Sequence, residues 1–180
     1  MASSAAQSIT PLYSAETIAS RVDELANEIA ALRLDDLVII AVLKGSFIFA
    51  ADLIRALQRK GLQPEIDFMF LASYGSGTTS VGEVKVLRDV ESELHGRDVV
   101  IVDDILDSGR TLAFAKTMLV ARGSRSVRTC VLLDKEVPRA ANIVPDFTGF
   151  RCKPVFVVGY GMDLAHRYRE LPFIGEVPPP

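Results

Sequence analysis

The chain has 180 residues, 49% of them hydrophobic and 24% charged, the length of one domain and the composition of an ordinary globular protein rather than a disordered one. A formal net charge of −3 argues against broad electrostatic capture of nucleic acid. Two cysteines and two histidines exclude a disulfide framework and a Cys/His zinc site.

The spacing predicts an amphipathic helix over residues 14–32. Ile18, Val22, Leu25, Ile29 and Leu32 recur at intervals of three and four, with Arg21, Asp23, Glu24 and Glu28 between them. Residues 37–43 are an unbroken apolar run rich in Val and Ile, expected to be a strand buried on both faces. Lys44-Gly45-Ser46 breaks it, and a helix over 47–60 follows, with Phe47, Ala51, Ile54 and Leu57 on one stripe and Gly61 as its stop. Residues 66–72 read as a strand. Residues 73–82, with three glycines and six hydroxyl side chains, read as a flexible loop. A short strand over 84–87 and a turn at Gly96 lead to a doubly buried strand over 99–102, expected to end abruptly at Asp103-Asp104. A helix over 111–121, strands over 127–133 and 155–158, and a coil tail over 171–180 that ends in three prolines complete the chain.

Strands alternate with helices and are continuously apolar. That predicts an α/β protein: a mostly parallel sheet flanked by helices, in a single domain over 1–180 without internal repeat or linker. Ligands of such sheets bind outside the carboxyl ends of the strands, where Lys44, the acidic run after Val102, and Lys135 fall. The first ten residues carry no Lys or Arg and no apolar run, so no secretory signal is expected. The longest apolar run, 37–43, is far short of the roughly 20 residues of a membrane helix. A cytoplasmic protein with reduced thiols is expected, Cys130 in the core and Cys152 partly exposed and inert.

The sharpest segment runs from Val99 to Leu112. A buried strand delivers it, a helix leaves it, and Gly109 permits a turn that other residues resist. Asp107, Ser108, Gly109, Arg110 and Thr111 then stand at a helix start, where N–H groups and hydroxyls form an anion cradle. Three carboxylates, Asp103, Asp104 and Asp107, share that loop and would repel a phosphate. A helix cap needs one such residue, not three. A divalent cation such as Mg²⁺ and a sugar diol reconcile the groups: the metal bridges carboxylate and phosphate oxygens, and the hydroxyls donate to carboxylates. No P-loop signature is present, the glycines after Tyr74 lack the dinucleotide spacing, and Ile105 stands where a calcium loop needs Asp or Asn.

The segment resembles the phosphoribosyl pyrophosphate signature of type I phosphoribosyltransferases. Further segments resemble the hypoxanthine(-guanine) branch of that family: Val42 to Ser46, Ser73-Tyr74-Gly75, Leu133 to Arg139, and Phe156 to Asp163 followed by Arg169. The resemblance covers about residues 37–176. It implies the family's fold, with a core over about 35–150 and a small hood from the two chain ends. It also implies transfer of a 6-oxopurine to 5-phosphoribosyl 1-pyrophosphate, with Mg²⁺ as cofactor and a homodimer or homotetramer as the assembly.

By the same resemblance, Asp103 and Asp104 would hold the ribose hydroxyls directly or through Mg²⁺, and Asp107 would act as general acid/base at purine N7. Asp107 to Thr111 would cradle the 5′-phosphate, with Arg110 free to face solvent. Lys44 and Gly45 would receive pyrophosphate across a non-proline cis bond at Lys44-Gly45, although an ordinary strand-to-helix turn fits the residues equally. Lys135 would donate to O6 and so reject adenine, or be a solvated loop lysine. Phe156 would stack on the base, or simply be core, and Val157 would offer backbone groups to the base edge. Asp163 would hold a second Mg²⁺, and Arg169, or Arg167 beside it, would contact pyrophosphate. Ser73 and Tyr74 would open a lid over 73–82. His95 and His166 read as surface residues.

Two other readings stay open. The fold can serve an RNA-binding regulator, for which Arg122, Arg125 and Arg128 form a modest cluster that also fits a solvated helix end. Within the enzyme class, guanine or xanthine could be the base, a choice set by backbone carbonyls near Asp163.

Overall fold

The computed structural model describes residues 9–74 and 83–178. The chain runs β1 (Thr10–Tyr13), α1 (Ala15–Ala31), β2 (Val38–Leu43), α2 (Phe47–Arg59), β3 (Glu65–Tyr74), β4 (Glu83–Arg88), β5 (Asp98–Leu106), α3 (Arg110–Ala121), β6 (Ser126–Lys135), β7 (Phe147–Cys152), β8 (Phe156–Val158) and β9 (Ile174–Val177).

Six strands form one sheet in the order β4-β3-β2-β5-β6-β7. All its neighbours pair in parallel except the β3–β4 edge. The continuous apolar runs follow from burial on both faces. On one face Ile39, Ala41, Val100, Val102 and Leu132 pack with the inner sides of α1 and α2. On the other, Val38, Ile40, Val42, Val99, Ile101 and Val131 pack with Leu112, Ala115 and Leu119 of α3. Each fully buried Leu or Ile contributes about 1.5–3 kcal/mol.

The predicted helices are present. Ser14 caps α1 by accepting from the Thr17 N–H at 3.2 Å, and Ile18, Val22, Leu25 and Ile29 are its buried stripe. In α2 the expected stripe holds only in part: Leu57 is buried, Ala51 and Ile54 are half-buried, Phe47 is 43% exposed, and Phe49, Ala50, Leu53 and Ala56 are buried instead. The start of α2 is apolar nearly all round, so its periodicity does not choose a face. Just before the helix, Ser46 is buried and its hydroxyl donates to the Val42 carbonyl at 2.5 Å.

A second sheet, β1-β9-β8, is antiparallel and joins the two chain ends. The tail expected to be coil therefore supplies its middle strand. Tyr13 ties this sheet to the main one, stacking on Phe150 with ring centroids 4.2 Å apart and donating to the Arg151 carbonyl. Strand β7 was not expected. Its sequence mixes polar and apolar residues around Gly149, where a Cβ would lie 2.4 Å from the Leu132 carbonyl oxygen. Cys152 ends that strand and is buried, not partly exposed, and burial pushes its thiol pKa up, as it does for Cys130 in the core.

Asp98 anchors the far end of β5. It is buried and accepts from Arg125 at 2.6 Å, the Ser126 hydroxyl at 2.6 Å and the Asp35 N–H at 2.9 Å. The Arg125 guanidinium holds its carboxyl far below the usual range. A depressed native pKa gives stability that is complete above the unfolded value of about 3.9 and lost as pH falls below it. Urea unfolding is expected to show wild type losing more stability between about pH 5 and about pH 3 than Asp98→Asn. Equal losses would remove Asp98 from the acid limb.

Candidate active site

The carboxyl ends of β2, β5 and β6, with the segment from β8 to Arg169, enclose a cleft of about 440 Å³. Lys44, Gly45, Asp104, Lys135, Phe156, Val157, Asp163 and Arg169 line it, joined by Phe70 and Met162. Eight of the residues singled out from the sequence thus meet in one place.

Strand β5 does not stop at Val102. Its parallel ladder with β6 continues through Asp103↔Val131 to Leu106↔Asp134. Pairing outruns the apolar pattern and carries both carboxylates into the strand end. Asp103 is 6% exposed, and burial, with Asp104 beside it, pushes its pKa well above the carboxylate range. Burial also raises Asp104, with the Arg169 charge acting the other way. The Asp103 carboxylate accepts from the Asp104 N–H at 3.0 Å.

Gly45 lies directly against Asp104: a Cβ there would sit 1.9 Å from Oδ2. Gly161 lies in turn against Gly45, its added Cβ 2.2 Å from the Gly45 carbonyl oxygen. The non-proline cis bond is Leu43-Lys44, one residue before the bond expected to be cis. Lys44 is exposed, its ammonium 5.4 Å from the centre of the Phe70 ring.

Beyond Leu106 the chain turns into α3. Gly109 has φ +80°, the left-handed conformation that glycine adopts without strain, and no side chain caps the helix start. In this turn Gly109 and Thr111 are more buried than Asp107 and Arg110. Asp107 is 59% exposed and faces Lys135, the two charges 3.5 Å apart. The Lys135 side chain is only 13% exposed, so it is not a solvated loop lysine.

Phe156, at 39% exposed, is not core; it forms one wall of the cleft with the buried Val157. Asp163 and Arg169 pair at 2.7 Å, and Arg169 donates to the Gly161 carbonyl at 2.6 Å. Arg167 is exposed outside the cleft. Ser73 and Tyr74 end β3, and the remainder of the expected lid, 75–82, lies outside the described residues. His95 and His166 are exposed.

Among the described residues no three His, Cys, Asp or Glu side chains converge on a point. A site with at most two convergent carboxylates suits a cation that takes its other ligands from substrate and water, as Mg²⁺ does. The sequence reading assigns no role to Phe70, Met162 or Arg139, although the last two lie in its motif segments. The first two look like core residues, and Arg139 lies in a loop without periodicity.

Residues 8–164 match the phosphoribosyl transferase domain family. The chain is 44% identical over 163 residues to the hypoxanthine phosphoribosyltransferase of Escherichia coli strain K12, covering 89% of this chain and 90% of that protein. It is 43% identical over 169 residues to the hypoxanthine-guanine phosphoribosyltransferase of Bacillus subtilis strain 168, covering 93% and 92%. A solved structure of the hypoxanthine phosphoribosyl transferase of Trypanosoma cruzi superposes with a TM-score of 0.90 at 37% identity, covering 97% of this chain and 93% of that one.

Gly45 yields a direct test of the packing. Gly45→Ala must displace either the Asp104 carboxylate or the β2 turn. Overpacking of this kind costs about 1–3 kcal/mol, so a thermal melt is expected to fall by several °C. An unchanged melting temperature would contradict the close approach.

Proposed function

The chain belongs to the phosphoribosyltransferase family, and from that premise we propose that it joins hypoxanthine, with guanine as a second base, to 5-phosphoribosyl 1-pyrophosphate, releasing the nucleoside monophosphate and pyrophosphate. It is an enzyme of purine salvage. The observation that carries the base assignment is the Lys135–Asp107 pair, 3.5 Å apart beside the Phe156 wall. O6 and N7 are adjacent on one edge of a 6-oxopurine. An ammonium donor and a carboxylate side by side match that edge, whereas adenine would set an amino group against the ammonium.

The remaining roles are proposed from the family resemblance, and the positions of the residues support them. Asp107 to Thr111 cradle the 5′-phosphate at the start of α3. Asp104 lines the cleft and faces the ribose, with Asp103 buried behind it, and the pair stabilises positive charge as the bond from the anomeric carbon to pyrophosphate breaks. Asp107 exchanges a proton at N7 as the bond to the base forms. Phe156 stacks on the purine and the Val157 backbone meets its edge. Lys44, the Gly45 N–H and Arg169 receive pyrophosphate. Asp103 and Asp104 would hold one Mg²⁺ and Asp163 a second, in exchange for its Arg169 partner. Bound there, Mg²⁺ would neutralise pyrophosphate charge. Ser73 and Tyr74 lead into the lid that would exclude water. The proposed assembly is a homodimer or homotetramer, and the proposed compartment the cytoplasm. No helix among the described residues is long and apolar enough to cross a membrane.

The RNA-regulator reading loses two of the three arginines of its cluster to ion pairs. Arg122 pairs with Asp89, and Arg125 pairs with Asp98 and Asp35.

One panel tests the proposal: hypoxanthine, guanine, xanthine and adenine with 5-phosphoribosyl 1-pyrophosphate, with and without Mg²⁺. Turnover of hypoxanthine, none of adenine, and loss of activity in excess EDTA are expected, with Lys135→Ala weakening the preference for 6-oxo bases. Adenine turnover comparable to that of hypoxanthine would refute the base assignment, and full activity in EDTA the metal.

A further inference from the structure

We propose that Arg139 is a positioning residue that fixes the spacing of the two base-facing groups, an inference that rests on the base assignment above. Asp107 and Lys135 stand just past the end of the ladder joining β5 to β6. That ladder runs out at Leu106↔Asp134, and Lys135 pairs instead with Cys152 on β7. At this fork the Arg139 guanidinium crosses between the strands. One nitrogen donates to the Leu106 carbonyl at 2.9 Å and to the Asp107 carbonyl; the other donates to the Asp134 carboxylate. The residues it grips are thus Asp107 itself, the residue before it, and the residue before Lys135.

The turn that follows completes the grip. The Ala140 and Ala141 N–H groups both donate to the Ser108 carbonyl, at 2.9 and 3.2 Å. Ile143 packs against Gly109, where an added Cβ would lie 2.7 Å from the Ile143 side chain. Residues 139–143 therefore cup the phosphate loop from behind. A planar guanidinium suits the task because its fork reaches acceptors on two strands in fixed geometry. A lysine ammonium in its place is a point charge on a flexible stem.

None of these contacts touches substrate, so the effect is on alignment. Misplacing a reacting group by about 1 Å can cost on the order of 10²-fold in rate. Arg139→Gln is therefore expected to lower kcat for hypoxanthine by about ten- to a hundredfold, with KM for 5-phosphoribosyl 1-pyrophosphate within about threefold of wild type. Arg139→Lys should restore only part of the loss, and millimolar guanidinium ion should recover part of the kcat of Arg139→Gln. Backbone amide exchange read over residues 106–111 should quicken in Arg139→Gln while that of β2 holds. A kcat within about twofold of wild type overturns the assignment, and so does unchanged exchange at 106–111. An inactive wild type would sink the functional reading on its own, and the exchange comparison would still decide whether Arg139 braces the loop.

Discussion

Holding two consecutive carboxylates at one strand end, Asp103 buried and Asp104 half-buried against the cleft, is the constraint on which the rest of the site depends. Each ionised carboxylate removed from water costs several kcal/mol unless it is paired, and adjacent like charges add to that. Here the ladder of β5 with β6 supplies the position, by extending through Asp103 and Asp104 to Leu106. Neighbouring residues then answer to the carboxylates. Gly45 has no side chain because Asp104 occupies the space, and Gly161 has none because the Gly45 carbonyl does. These two close approaches, which stack Gly161, Gly45 and Asp104, set the segment after β8 against the sheet where the cleft lies.

The second sheet and the segment after β8 join the main core through Val157, Tyr160, Met162 and Ile174. The Tyr160 hydroxyl donates to Asp52 of α2 at 2.7 Å, and Tyr13 stacks on Phe150 of β7. The segment from Phe156 to Arg169, which carries Tyr160, forms the cleft's far wall. The main sheet and the segment after β8 thus supply complementary halves: carboxylates and the turn into α3 from one, and an aromatic wall with an Asp163–Arg169 pair from the other. Rigid strand ends place the charged groups, and backbone close approaches set the width between the halves.

Much of this was legible because burial writes itself as composition. The runs through Ile39, Ile101 and Leu132 could only be doubly buried strands, and the turn from Asp107 to Thr111 combined a required glycine with hydroxyls at a helix start. Other features lacked a local signal. Strand β9 has four residues interrupted by Gly175, and its partner β1 comes from the opposite chain end. Strand β7 is masked by Gly149, which is there because the Leu132 backbone passes close by. The end of β5 was misjudged because polarity changes at Asp103 while hydrogen bonding does not. Phe47 was misassigned because several faces of α2 are apolar. Arg139 was invisible as a brace, since its three acceptors are separated from it in sequence and two are backbone carbonyls.

The proposed division of labour in this loop has Asp103 and Asp104 positioning the ribose and its metal while Asp107 moves the proton. Steady-state kinetics of Asp107→Asn and Asp104→Asn at several Mg²⁺ concentrations tests it most directly. General acid/base catalysis contributes typically 10²–10⁴-fold, so Asp107→Asn is expected to lose about that much turnover with little change in affinity for 5-phosphoribosyl 1-pyrophosphate. Asp104→Asn is expected to weaken metal-dependent binding of that substrate as well as turnover. Near-normal turnover in Asp107→Asn, or a loss confined to substrate affinity, would contradict the assignment.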